Sequence, residues 1–176
     1  MKPHDLDVGE AAQNFIPMAV QEARIGGPSG KVLQIEREIE APTLGGVRVS
    51  QSQVFINERR VLVVSHNSEE PAGILGYSVV VRPGYSVGDH YHHRREERIL
   101  VLHGRALFRL QDMRPQSPTF ETLNLFTLDY PGACVHIPTG VAHSILADST
   151  LTVLQVLASA DYDPSDDVHI NLSSLD

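Results

Sequence analysis

The chain has 176 residues, 41% of them hydrophobic and 20% charged, which is enough for one domain with a sizeable core. Its formal net charge of −8 argues against non-specific nucleic-acid binding and against an anionic membrane surface. A single cysteine, Cys134, excludes an internal disulfide, and neither a signal-peptide pattern nor an apolar window of about 18 residues is present, so a cytoplasmic location is expected.

Residues 1–30 read as an N-terminal arm. A short helix is predicted over Ala11–Arg24, interrupted or restarted at Pro17. Gly26-Gly27-Pro28-Ser29-Gly30 is a linker or turn. Residues 31–176 are expected to form one domain. Strands are predicted over 32–36 and 47–56, the second presenting Val47, Val49, Gln51, Gln53 and Phe55 on one face, then a hairpin turn at Asn57-Glu58 into Arg60–Ser65. After a polar loop from Asn67 to Gly73, strands follow over 76–82, 99–102, 105–110, 123–128, 133–137, 144–146 and 151–157. A loop with Pro115 and Pro118 spans 111–119, and an acidic tail starts at Ala160. Turn signals recur every 8–12 residues, the pattern of an all-β sandwich or barrel.

Polar residues interrupt this pattern at two places. His90 and His92 are one residue apart on a strand and share a face. With Glu97 and the distant His143 they offer a mixed nitrogen and oxygen set that suits a divalent metal such as Zn, Fe, Ni, Mn or Cu. His93 is expected on the opposite, exposed face, and Glu96 is the weaker carboxylate. His136 either enters the cavity or decorates the surface. Cys134 reads as a small buried hydrophobe rather than a nucleophile. Twelve of the 14 basic residues are arginines, and seven fall between Arg82 and Arg114. Arginine's planar fork suits phosphate, so Arg82, Arg98, Arg105 and Arg109 are candidate substrate contacts.

The spacing Gly84, five residues, His90-x-His92, four residues, Glu97, six residues, Gly104 resembles the first motif of the cupin superfamily. Gly132, five residues, Pro138-x-Gly140, two residues, His143 resembles the second, with Ala147 where that motif usually ends in Asn. The resemblance implies a double-stranded β-helix, or jelly roll. Asp112-Met-Arg114-Pro-Gln-Ser117-Pro118-Thr119-Phe120, together with Ile137-Pro138, Ala142-His143 and Asp161-Tyr162-Asp163-Pro164, resembles the dTDP-4-dehydrorhamnose 3,5-epimerases. That family implies isomerase or epimerase chemistry on a nucleotide-linked keto sugar without metal, and no organic cofactor is expected. It places the base histidine on His90, the second histidine on His143 and a tyrosine-bearing segment at Tyr162. Glu97 stands at its enolate-steadying lysine and Val156 at its proton-returning tyrosine. A metal on His90, His92, Glu97 and His143 would replace the lysine by polarising the ketone, but His90 cannot be both ligand and free base. Two other readings stay open: a metal-dependent oxygenase or small-acid isomerase, and a non-catalytic ligand-binding jelly roll.

Sheet edges need cover, and an arm beside strand-forming segments can supply it, so a homodimer is expected. Removing residues 1–30 should weaken self-association in sedimentation experiments. A full-length chain that stays monomeric at high concentration would contradict this.

Overall fold

Short alternating segments fold as strands wherever the chain is described, and antiparallel pairing joins them. The computed structural model describes residues 19–23, 31–36, 44–52, 54–57, 60–65 and 74–172. Its early strands are β1 (Ala19–Ala23), β2 (Lys31–Glu36), β3 (Arg48–Gln51), β4 (Val54–Asn57) and β5 (Arg60–Val63). Then come β6 (Leu75–Val81), β7 (Ser86–His92), β8 (Glu97–His103), β9 (Ala106–Asp112) and β10 (Leu123–Leu128). The last are β11 (Ala133–Ile137), β12 (Val141–Ala147), β13 (Thr152–Ala158) and β14 (Asp167–His169). Two five-stranded sheets, ordered β10-β9-β12-β7-β14 and β3-β11-β8-β13-β6, form the jelly roll, and β1-β2-β4-β5 form a four-stranded sheet. Among the described residues no helix is long and apolar enough to cross a membrane.

Several expectations change. The helix over 11–24 is a strand at Ala19–Ala23, and residues 11–18 and 24 lie outside the described residues. That strand lies in the expected arm and pairs with β2, at the start of the expected domain, from Ala19 opposite Glu36 to Ala23 opposite Val32. Cross-strand pairing thus overrides local helix preference. The strand expected over 47–56 is two strands in different sheets: β3 pairs with β11, and β4 with β2 and β5. The acidic tail contains β14, which completes the β7 edge.

The core lies between the two five-stranded sheets. Ile99 and Val101 of β8, Val135 and Ile137 of β11 and Leu154 and Val156 of β13 face Phe108 and Leu110 of β9 and Val141 and Ile145 of β12. Fully burying such a side chain stabilises the fold by about 1.5–3 kcal/mol. Asp112 ends β9 without solvent contact. It accepts hydrogen bonds from Arg114 Nε (2.8 Å), Ser117 Oγ (2.6 Å) and Thr119 Oγ1 (2.6 Å), while Arg114 Nη2 donates to Gly45 O (2.6 Å). Burial would push the Asp112 carboxyl up, but these donors hold it well below the usual carboxylate range. The Asp112–Thr119 motif therefore shapes the β9–β10 loop and ties it to the loop before β3.

One irregularity positions everything that follows. His143 pairs with His90, but the next residue, Ser144, pairs with Gly88, so Asp89 is an extra residue on β7. Gly88 and Asp89 both have positive φ, 98° and 58°. This β-bulge resets the alternation, so that Val87 packs on the core and His90, three residues on, still faces inward. A Cβ on Gly88 would lie 2.6 Å from the His143 backbone oxygen. Gly88→Ala should therefore lower stability by about 1–3 kcal/mol in urea unfolding. A change within about 0.5 kcal/mol, the range of ordinary surface substitutions, would show that the bulge tolerates a side chain.

Candidate functional site

At the bulged end of the core, polar residues interrupt otherwise apolar inward faces, two on β7 and one each on β8 and β12. On β12 the inward row is Val141, His143, Ile145, Ala147, and on β8 it is Glu97, Ile99, Val101. His90 and His92 come from β7 of the same sheet as His143, whereas Glu97 comes from the facing sheet. One ligand atom from each of His90, His92, Glu97 and His143 lies within 4.8 Å of the others. His92, Glu97 and His143 are buried and His90 is half-buried.

Glu97, only 2% exposed, is the common partner. Its Oε2 is 3.3 Å from His143 Nε2, and its Oε1 is 3.6 Å from His92 Nε2, a contact too long for a hydrogen bond. Tyr77 donates to Oε1 at 3.3 Å. Burial would push the Glu97 carboxyl up. The polar contact with His92 and the electrostatic influence of His143, His92 and Arg95 hold it at about 2 instead. Burial, then the neighbouring His143 and His92, lower His90 to about 4, and burial lowers His143 as well. The Tyr77 phenol is raised by burial and by the Glu97 charge.

A fifth residue, carrying a positive charge, enters the cluster from the turn between β7 and β8. Arg95 is 4% exposed. Its Nη2 is 3.0 Å from His92 Nε2 and 3.2 Å from Asp167 Oδ1, and its Nε is 3.4 Å from Glu97 Oε1. Arginine N–H groups only donate, so His92 Nε2 accepts, and the ring proton sits on Nδ1, which faces Asp167 Oδ1 at 3.0 Å. Asp166 fixes the turn itself. Its Oδ1 accepts the backbone N–H of His93 and Arg94, each at 3.1 Å, and its Oδ2 accepts that of Arg95 at 3.2 Å.

The other sequence-predicted residues fall where alternation sends them. Tyr162, 64% exposed, lies at the rim with its ring centre 5.9 Å from Arg95 Cζ. The four chosen arginines are not brought to the cluster. Arg82 follows β6 and Arg105 precedes β9 at the opposite end of the sheets, where Arg105 Nη1 is 3.4 Å from Asp148 Oδ2. Arg98 alternates with inward Glu97, and Arg109 with inward Phe108 and Leu110, so both occupy outer sheet faces. His93 is exposed as expected, Glu96 is exposed too, and His136 lies toward the surface, 3.2 Å from Glu96 Oε2. Cys134 is buried. Arg95, Asp166 and Asp167 were not singled out as site residues from sequence, whereas Tyr77, like Tyr85 and Tyr162, reads from sequence as a possible pocket phenol, though such a residue is more often core or rim. The available signal was Arg95's place in the spacer between His92 and Glu97, where the chain must fold back over the site.

Two facing antiparallel sheets with three histidines and a glutamate at one end define a jelly-roll protein. Several solved structures share this fold. A 3'-monoepimerase from Streptomyces bikiniensis in complex with dTDP-quinovose is 18% identical, with a TM-score of 0.68 over 74% of this chain and 72% of that one. A dTDP-4-dehydrorhamnose 3,5-epimerase from Bacillus anthracis is 17% identical, with a TM-score of 0.65 over 73% and 80%. A dTDP sugar isomerase from Desulfovibrio desulfuricans is 18% identical, with a TM-score of 0.69 over 75% and 88%. No curated protein sequence matches the chain significantly. The chain belongs to the family described as the polysaccharide biosynthesis C-terminal domain, which it matches over residues 57–167.

The shifts give the site an acid-labile charge state. Between pH 6.5, the ordinary histidine value, and about 4 the unfolded chain binds a proton at His90 that the folded chain does not. Stability therefore falls as pH falls through that window. Glu97 continues the loss from 4.5 down to about 2, because its folded form holds its proton more weakly. His90→Gln should flatten the decline between pH 6.5 and 4 in a series of urea melts. An unchanged slope would show that His90 protonates freely in the folded chain.

Proposed function

We propose that this protein isomerises or epimerises a nucleotide-linked keto sugar, with His90 as the base that removes the proton beside the ketone. The observation that carries the reading is the state of His90. It is half-buried at the open end of an apolar core and neutral above a pH of about 4, so it is a free base at physiological pH. The folds it shares belong to proteins named for dTDP-sugar epimerisation and isomerisation, and its family is named for polysaccharide biosynthesis. On this basis the substrate is a dTDP-linked sugar or a close relative.

The donor set fits a divalent metal such as Zn, Ni, Fe or Mn, because it combines neutral imidazoles with an ionised carboxylate and His92 Nδ1 faces the carboxylate of Asp167. In this reading the three buried groups, His92, Glu97 and His143, hold the metal, and the half-buried His90 is spared for proton transfer. A metal bound there supplies Lewis-acid polarisation of the ketone. His90 accepts the proton from carbon, and the electron pair of that C–H bond moves into the enolate. Tyr77 comes from the facing sheet and is 38% exposed, so a substrate held between the sheets meets His90 on one face and the phenol on the other. Inversion at carbon needs two such groups. Tyr162 and Arg95 form the adjoining rim. The protein acts in the cytoplasm as a homodimer in this proposal, in keeping with its buried, unbridged Cys134.

Two histidines and a carboxylate at a metal also suit iron-dependent oxygenases, so oxygen consumption by the iron-loaded protein is the second reading. Incubating the protein with a dTDP-linked 4-keto sugar in deuterated water separates the two. Deuterium should enter beside the ketone, His90→Asn should lose at least about 100-fold in rate, and Tyr77→Phe should keep exchange but lose inversion. Oxygen uptake without deuterium exchange would overturn the epimerase reading.

A further inference from the structure

We propose that Arg95 and a bound metal ion compete for one lone pair, that of His92 Nε2, so that this guanidinium sets the affinity of the site for metal. The inference rests on the metal seat proposed above and concerns what controls its filling. An imidazole with its proton on Nδ1 has a single in-plane lone pair, on Nε2. Here Nδ1 is committed to Asp167 Oδ1 at 3.0 Å, and Nε2 receives Arg95 Nη2 at 3.0 Å. A metal ligated by His92 needs the same lone pair, so the two contacts exclude each other.

The guanidinium is placed to act as the resident cation. At 4% exposure it is held inside the site, with its Nε 3.4 Å from Glu97 Oε1 but not aligned to donate a hydrogen bond to it. Glu97 and Asp167 bring two carboxylates to the cluster, and Arg95 is the fixed positive charge that touches both. A divalent ion supplies that charge itself and leaves the guanidinium in excess. Arg95 also has partners to keep when it leaves His92: Asp167 Oδ1 at 3.2 Å and the Tyr162 ring at the rim, 5.9 Å away. The site therefore has two alternative arrangements, one with Arg95 on His92 and one with a metal there, and the exchange between them lowers the apparent metal affinity by the free energy of the Arg95 contact that is given up.

The test is titration calorimetry of the full chain with Zn²⁺ against a competing chelator, comparing the unaltered protein with Arg95→Leu and Arg95→Lys. Arg95→Leu should bind at least about tenfold more tightly, the equivalent of one charged hydrogen bond, with Arg95→Lys in between. Equal or weaker binding by a cooperatively folding Arg95→Leu, while the unaltered protein binds Zn²⁺, would overturn the competition and leave the metal seat standing. Zn²⁺ binding by none of the three would remove the seat and the competition with it. Should Arg95→Leu fail to fold, the structure of the unaltered protein with Zn²⁺ decides. Arg95 Nη2 should have left His92 Nε2, and a zinc-ligated His92 still within hydrogen-bond distance of that nitrogen would overturn the proposal.

Discussion

The structure depends on where it puts one negative charge. Glu97 begins β8 at the end of an apolar core and is ionised although almost wholly buried. Leaving such a charge uncompensated costs about 3–5 kcal/mol. The fold meets that cost by bringing His92, His143, Arg95 and Tyr77 to one carboxylate from three strands and a turn. The groups that compensate the charge are also the ones with chemistry to offer, so stability and reactivity come from the same contacts.

Two backbone devices make the convergence possible. The bulge at Gly88 and Asp89 turns His90 and His92 to the core side of a strand whose earlier residue, Val87, already faces it. Asp166 takes three successive backbone N–H groups of the β7–β8 turn, which fixes how far Arg95 reaches toward Glu97. Beside it, Asp167 selects the His92 tautomer. The C-terminal segment is therefore part of the site, although it lies about 70 residues away in sequence from the turn it holds.

Fold class and the four clustered residues were legible in the sequence because strand period and motif spacing survive in it. Alternation put His90 and His92 on one face, and the spacing to Glu97 and His143 resembled two family motifs of jelly-roll proteins. The illegible parts were those where period breaks or where distant segments meet. A glycine that marks a bulge looks the same in sequence as one that marks a turn. The Arg82–Arg114 set read as a phosphate track, but alternation sends Arg98 and Arg109 to outer faces, and only Arg95, on an irregular turn, reaches the cluster. Asp166 and Asp167 looked like members of a solvated acidic tail because their partners, the N–H groups of a distant turn and the ring of His92, leave no local signature.

Long-range proton–nitrogen NMR correlation of the histidine rings at neutral pH tests this charge arrangement most directly, since each ring nitrogen reports whether it carries a proton. Neutral rings at His90 and His143 are expected, with the His92 proton on Nδ1, facing Asp167, and its Nε2 bare toward Arg95. A His92 proton on Nε2 would contradict it, because that nitrogen could not then accept from Arg95, and so would a doubly protonated His90, which holds no free lone pair with which to take a proton from carbon.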